Sequence, residues 1–179
     1  MRYVLIAAHM LLVVSMACAA EDENPFRKAN VGDWAEYQMT GPNVSGSTKM
    51  TIVNKNEKEV AYEITSKFTA FGRETVGPVQ NIKVDLTKSY DPVVAANLQQ
   101  NNTKIEKVGE GTEKLKAAGK EIESTWTKTK STTTVNGMQI ISEYTMWFSK
   151  DVPISGMVKM ETSTMGTTTK VELVASGTK

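Results

Sequence analysis

The side chains best suited to catalysis and metal binding, one histidine and one cysteine, both lie near the start of the chain, at His9 and Cys18. Histidine is the usual general base and a common metal ligand, and cysteine is the strongest side-chain nucleophile. The chain begins like a secretion signal, with Arg2, an apolar run from Val4 to Val14 and small residues at a cleavage site. We therefore predict that residues 1–20 are a signal peptide and that the exported chain has neither side chain.

Cys18 also allows a second interpretation, because bacterial lipoproteins are cut just before a cysteine that is then acylated. Ala17 fits such a site, whereas Ser15 stands where these signals usually carry an apolar residue. We expect an exported protein, periplasmic or extracellular, that contacts a membrane only if Cys18 is lipidated.

The remaining polar residues form no recognisable catalytic or metal-binding pattern. Carboxylates two residues apart, such as Glu121 and Glu123, point to the same side of a strand and are typical of a solvated face. Ser149 and Lys150 are sequence neighbours, so on a strand they would point to opposite faces and could not act on each other. We predict a noncatalytic protein that binds no metal and no cofactor.

The charge of the chain limits its possible partners, and its length limits the number of domains. Loss of Arg2 leaves 20 basic residues against 20 acidic ones, so the chain has no basic surplus for a nucleic acid. The remaining length suits one domain whose core needs no disulfide. We divide it into a lead-in segment at 21–32 and a single β-rich domain at 33–179.

The domain has the pattern of antiparallel strands. Val60–Phe68 alternates apolar and polar residues, as a half-buried strand does. Asp91-Pro92, followed by apolar residues up to Gln100, predicts a short helix, since Asp caps a first turn and Pro is tolerated there. The lead-in has no periodicity and should bring Phe26 to the edge of the domain. The predicted fold class is mainly β, a curved antiparallel sheet or half-barrel with one short helix.

A tight hairpin at Asn136-Gly137 gives the strongest local signal, because Asn-Gly adopts the positive φ angles of a two-residue type I′ turn. Such a turn fixes the pairing of the two strands. Three pairs should face each other: Val135 with Met138, Lys130 with Glu143 as an opposite-charge pair, and Trp126 with Trp147.

The returning strand presents a row of bulky apolar side chains on one face, which we predict to bind a ligand. The row consists of Met138, Ile140, Tyr144, Met146 and Phe148. Flexible methionines suit an adaptable apolar pocket, although ordinary core packing also explains them. Trp147 makes the opposite face apolar too. The strand should therefore be covered on both sides or curve around something, unless a β-bulge shifts its register.

Three stretches resemble segments of uncharacterised secreted bacterial β-rich proteins. They are Val31–Tyr37, Ala118–Trp126 and Trp147–Lys159, the last with the pattern W-x-S-x-x-V-P-x-x-G-x-V-K. The resemblance implies an exported β-rich fold, and the group supplies no established catalytic residue to carry over. In that group a cysteine often stands where this chain has Ser124, so no thiol function carries over. The succession of strands with one short helix is more distantly similar to LolA-like half-barrels, which hold lipoprotein acyl chains against a concave sheet.

These observations lead to two functional hypotheses. The first is a noncatalytic envelope protein that binds an apolar small molecule or a lipidated envelope protein on its concave sheet face. The second is a structural or protein-interaction module of the envelope with no small-molecule pocket. A large apolar cavity would favour the first hypothesis, and a filled core with an exposed apolar patch would favour the second.

Overall fold

The computed structural model describes residues 24–89, 103–135 and 138–178, which form one antiparallel sheet after a short 3-10 helix. That helix is Pro25–Lys28, and the strands described are β1 (Trp34–Gly41), β2 (Val44–Lys55), β3 (Glu59–Ala70), β4 (Arg73–Val76), β5 (Gln80–Asp85), β6 (Thr103–Ala117), β7 (Lys120–Val135), β8 (Met138–Phe148), β9 (Met157–Thr164) and β10 (Thr167–Gly177). The predicted signal peptide and the predicted helix at Asp91–Gln100 lie outside the described residues. In the described ranges, no helix has both the length and the apolar character needed to cross a membrane.

The sheet consists of two meanders joined by the first and last strands. The strand order is β4-β3-β2-β1-β10-β9-β8-β7-β6, and β5 pairs with β3 beyond the end of β4. The strands at the two ends of this path, β4 and β6, are not paired with each other in the described ranges. The predicted fold class, a mainly antiparallel β domain that does not close into a barrel, is confirmed.

The predicted hairpin register is confirmed in all three pairs, including Trp126 opposite Trp147. The predicted ion pair is different, however. Lys130 faces Glu143 in the ladder, but the Glu143 carboxylate binds the Lys128 ammonium at 2.7 Å. Residues i and i+2 of a strand share a face, so the diagonal lysine is within reach of the same carboxylate.

The sheet curls strongly through β7, β8 and β9. The backbone N–H of Ala118, in the β6–β7 turn, donates to the Leu173 carbonyl of β10 at 3.2 Å, although β8 and β9 lie between β7 and β10 in the sheet. The pairing of β10 with β9 ends at Glu172, the residue before Leu173. The Leu173 carbonyl therefore has no hydrogen-bond donor from β9. The β6–β7 hairpin supplies the donor instead, and this requires a curvature like that of a half-barrel.

Both faces of β8 are buried near its end. Met146 and Trp147 are each 8% exposed and point to opposite sides. On the Trp147 side, the indole N–H donates to the Glu113 carboxylate, and the Lys159 ammonium lies 4.9 Å from the ring centroid. Of the predicted alternatives, cover on both sides of the strand is therefore the one found for these two residues. A register shift between Trp147 and Phe148 against β9 also occurs there.

The segment before β1 is part of the core. The ring of Phe26 is fully buried and stacks on Tyr62 with the ring centroids 5.4 Å apart. The prediction that Phe26 lies at the edge of the domain is therefore wrong. The reason is physical: one aromatic residue in a polar segment has no periodicity, and only its tertiary partner determines how deeply it is buried.

Candidate functional site

A cavity of about 650 Å³ lies at the end of the sheet where β1 begins and β8 ends. Three segments and Thr178 line it. The segments are residues 24, 25, 28–30 and 33 of the chain before β1, the β8–β9 connection at 148–156, and β6–β7 residues Thr112 and 123–125. The curl of the sheet positions the third segment, because it carries the β6–β7 hairpin across the end of β9. The volume is within the range of small-molecule sites, about 300–1,000 Å³.

The β8–β9 connection forms one wall of the cavity and is held in an unusual conformation. Its ends are tied by the Ser149 N–H, which donates to the Gly156 carbonyl at 2.8 Å. Ile154 has a φ of 70° and is only 3% exposed. A β-branched residue in this left-handed region is strained, and such strain persists where the surrounding packing fixes it. The wall is therefore held in place by packing and hydrogen bonding within the protein.

The opposite wall is the segment before β1, which side chains tie to the sheet. The Asn24 side chain accepts from the Phe26 N–H at 3.1 Å and donates to the Asp85 carbonyl at 3.2 Å. The Arg27 guanidinium donates to the Leu86 carbonyl at 2.9 and 3.0 Å. The Lys55 ammonium donates to the Ala29 carbonyl at 2.6 Å. These bonds position the wall although the segment has little regular structure.

The inner surface of the cavity is apolar with hydroxyl groups, and its charged groups are mostly exposed. Phe148, Val152 and Ile154 are buried and supply the apolar part. Buried hydroxyls come from Ser124, Ser149 and Ser155, and exposed charges from Lys28, Glu123, Lys150 and Asp151. Asp33 is the buried exception, and its carboxylate accepts from the Asn30 N–H at 2.8 Å. An apolar interior with charges near water suits a ligand that has an apolar body and a polar group.

Tyr37 links this wall to the centre of the sheet. Its hydroxyl donates to the Met157 carbonyl at 3.2 Å, just after the β8–β9 connection. Burial raises the pKa of Tyr37 to about 12, and a hydrogen bond with the Ser155 hydroxyl works in the opposite direction. The phenol is therefore a neutral structural group at physiological pH.

Ser149 and Lys150 both border the cavity, which differs from their predicted placement. β8 ends at Phe148, so the two residues lie in the connection and not on opposite faces of a strand. The Ser149 hydroxyl accepts from the Asp151 N–H at 3.3 Å. Within the described ranges, no cluster of histidine, cysteine, aspartate and glutamate could hold a metal ion.

The predicted row on β8 runs from solvent into the core. Met138 is 68% exposed, Ile140 and Tyr144 are half-buried, and Met146 and Phe148 are buried. Of the five, only Phe148 borders the cavity. Threonines flank the middle of the row, since Tyr144 pairs with Thr129 and Thr162. The row is therefore not a continuous apolar trough, and its role in ligand binding stays a prediction.

Sequence reasoning did not identify either of the two irregular walls. A usable signal was present in 151–156, where Pro153 and Gly156 mark an irregular connection between two apolar strands. The segment at 24–33 had no comparable signal. Its position depends on side-chain bonds to residues far away in sequence.

Comparisons with known proteins show a shared fold. The sequence matches no family model, and no curated protein sequence is significantly similar to it. A "putative exported protein with YmcC-like fold" from Bacteroides fragilis matches with a TM-score of 0.53 and 8% identity, over 83% of this chain and 97% of that chain. A "putative lipoprotein" from Parabacteroides distasonis gives a TM-score of 0.49 and 11% identity, over 83% and 96% of the two chains. At this identity the first match shows the fold and nothing finer.

Proposed function

We propose that the protein is an exported, noncatalytic envelope protein that binds an apolar small molecule or the lipid chain of a lipidated partner in its end cavity. The observation that carries the proposal is the cavity itself, about 650 Å³ between two fixed walls. Its apolar part would gain roughly 25 cal/mol for each Å² that a ligand removes from water.

Two further observations support this proposal. The amino-terminal residues have the three parts of a secretion signal, which fits a periplasmic or extracellular location. The fold is shared with a protein described as a "putative exported protein". The chemistry of the cavity favours a ligand with one long apolar part, because Phe148, Val152 and Ile154 form its interior and the exposed charged groups lie near water.

Two tryptophan substitutions on one strand face test the location of the ligand. Thr125 borders the cavity and is exposed, so Thr125→Trp should fill the cavity without overpacking the core. Thr129 lies on the same face of β7, opposite Tyr144 of the predicted row. We expect Thr125→Trp to weaken binding of a fluorescent fatty acid by about tenfold or more, and Thr129→Trp to leave it unchanged. Fluorescence titration measures both, and circular dichroism checks the fold.

The other outcomes are equally informative. Weakening by Thr129→Trp alone would move the ligand to the predicted row on β8. If the unmutated protein binds neither a fatty acid nor a diacylated peptide, the ligand-carrier proposal fails. The alternative, an interaction module with no small-molecule pocket, would then be the better hypothesis.

A further inference from the structure

Three turns of the form Xaa-Gly share one left-handed backbone conformation. They are Phe71-Gly72, Ala118-Gly119 and Met165-Gly166, with φ angles of 49–50° at the first residue and 74–76° at the glycine. Two-residue hairpin turns with positive φ at both positions strongly favour Asn, Asp or Gly. A bulky side chain at such a position is strained. The chain itself has Asn-Gly at 136–137, so Phe71 and Met165 depart from its own pattern.

The strained bulky residues stand in solvent. Phe71 is 71% exposed and Met165 is 83% exposed. Ala118 occupies the same position of the same kind of turn at the opposite end of the sheet, where it is small and packs against the core. The exposed Phe71 and Met165 side chains contribute little packing to offset the backbone strain. Strain that the fold does not need points to a function of the side chain.

The end of the sheet that carries the Phe71-Gly72 and Met165-Gly166 turns has few charged residues. The β1–β2, β3–β4 and β9–β10 turns lie there, as does the Val135–Met138 pair of β7 and β8. Residues 37–48, 131–142 and 162–169 contain no Asp, Glu, Lys or Arg, in a chain of which 23% is charged. Outside these ranges, charge at this end comes from ion pairs such as Glu161–Lys170 at 3.4 Å and Lys104–Glu106 at the start of β6. We define the tip surface as the exposed apolar residues of this end: Phe71, Met138, Ile141 and Met165.

The charge beside Phe71 is small and net positive. Lys67 and Glu74 form an ion pair at 2.9 Å, and the exposed Arg73, which follows the turn, adds one positive charge. A long arginine side chain can lay its stem along apolar surface while its guanidinium stays in water or among lipid headgroups. A surface that is apolar at its tips and has few charges behind them fits the layer between lipid headgroups and acyl chains.

The separation of the tips favours lipid over a protein partner. The β3–β4 and β9–β10 turns are separated by β2 and β1, so Phe71 and Met165 are about 14 Å apart or more at the usual strand spacing. A stable protein partner needs roughly 800 Å² of surface on each side with close complementarity. A bilayer can accept separate side chains, since lipids rearrange around each of them.

We propose that the tip surface inserts into a lipid bilayer, with Phe71, Met138 and Met165 as the inserted side chains. The proposal is independent of the cavity and its ligand, because the two features lie at opposite ends of the sheet. The attraction is mainly apolar, so binding should not require anionic lipid and should persist in high salt.

Asparagine substitutions separate membrane binding from folding. Phe71→Asn and Met165→Asn remove the apolar side chain and supply a residue that adopts the left-handed backbone with little strain. Each variant should therefore melt at a higher temperature and bind phosphatidylcholine vesicles about tenfold more weakly, with a larger loss in the double variant. A purely structural role for either residue would predict the opposite change in stability. All the proteins compared carry Cys18→Ser, so that acylation of Cys18 cannot contribute to vesicle binding. Co-sedimentation with the vesicles measures the bound fraction.

Val31→Asn is the matched control, because Val31 is 54% exposed and lies before β1, at the opposite end of the sheet. It should leave vesicle binding unchanged. The proposal is overturned if the unmutated protein does not bind the vesicles, or if the double variant binds as tightly. It is also overturned if binding requires phosphatidylglycerol and disappears in high salt. Loss of a protein partner by the tip variants, without vesicle binding by the unmutated protein, would assign the surface to a protein instead.

Discussion

Tyr37 shows how one buried residue connects the centre of the sheet to the wall of the cavity. Its side chain is 0% exposed, and its hydroxyl donates to the Met157 carbonyl where β9 begins. A buried phenol is stable only in its neutral form, and burial raises the pKa of Tyr37 to about 12. The hydrogen bond that ties Tyr37 to the end of the β8–β9 connection therefore requires the protonated phenol, which the folded state retains.

The stability of the protein should fall at alkaline pH because of this group. The unfolded phenol titrates near pH 10, so above that pH the unfolded state loses a proton that the folded state retains until about pH 12. The contribution of the Tyr37 phenol to the free energy of unfolding is fully present below pH ~10. It falls by roughly 2–3 kcal/mol as the pH rises from about 10 to about 12. In Tyr37→Phe this part of the pH dependence should be absent. Urea unfolding of both proteins at about pH 8 and pH 11 measures the difference.

Lysines also titrate in this range, but they are common to both proteins and their effect cancels in the comparison. Tyr37→Phe should itself be less stable at neutral pH by about 1 kcal/mol, since the Met157 carbonyl loses its donor. If the two proteins lose the same free energy of unfolding between about pH 8 and pH 11, the phenol is not the group responsible.

At the scale of the elements, glycines opposite tryptophans let the large rings lie flat on the sheet. A Cβ at Gly111 would lie 2.8 Å from Nε1 of Trp126, its cross-strand partner. Gly177 stands in the same relation to Trp34, also at 2.8 Å. These glycines cost backbone entropy in a strand, and the ring contact offsets it. Trp126 in turn packs against the core.

Two alanine substitutions under the same ring test this arrangement. Gly111→Ala should displace the Trp126 ring and destabilise the protein by about 1–3 kcal/mol, as overpacking does. Gly109→Ala is the control, because its Cβ would lie 3.4 Å from the ring, at the edge of ordinary contact. It should be neutral or slightly stabilising, since alanine reduces the entropy of the unfolded chain. Thermal unfolding compares the two variants. Equal losses of stability in Gly111→Ala and Gly109→Ala would show that the contact with the ring is not the cause.

The hairpin elements were predictable because their information is local. Asn136-Gly137 specifies a turn type, and the turn type fixes the register of every pair behind it, including Trp126 with Trp147. The choice of Lys128 over Lys130 as the partner of Glu143 was not predictable, since both lie on the same face. The pairing of β10 with β1 also could not be predicted, because it depends on which strand edges meet once both meanders have formed.

The candidate site could be predicted only in part, for a related reason. Phe148 is predicted from the sequence to bind a ligand and borders the cavity, whereas Met138, from the same predicted row, lies in solvent at the other end of the strand. Alternation assigns a face to each residue, yet it does not say where along a strand that face is covered. The cavity is built from irregular segments such as Asn24–Asp33. Their places are set by tertiary bonds that no local pattern encodes.

At the scale of the whole molecule, the sheet separates two surfaces of different chemistry. The end at which β1 begins has the cavity, with fixed walls and exposed charges near its opening. The opposite end has the charge-poor turns with Phe71 and Met165 exposed. Antiparallel pairing produces this division, since consecutive turns alternate between the two ends. The proposed ligand site and the proposed membrane contact therefore lie at different ends of the sheet.

The curl that creates the cavity predicts an unusual pattern of hydrogen exchange. The Ala118 amide donates to the Leu173 carbonyl across the curled sheet, so it should exchange about tenfold or more slowly than a turn amide exposed to water. The Met165 amide provides the matched comparison, since it has the same position in the same kind of turn. Leu115→Ala, which removes packing between the hairpin and the core, should speed exchange at Ala118 and leave Met39 of β1 protected. Exchange at Ala118 as fast as at Met165 in the unmutated protein would mean that the hairpin does not meet β10, and the cavity would then lack its third wall.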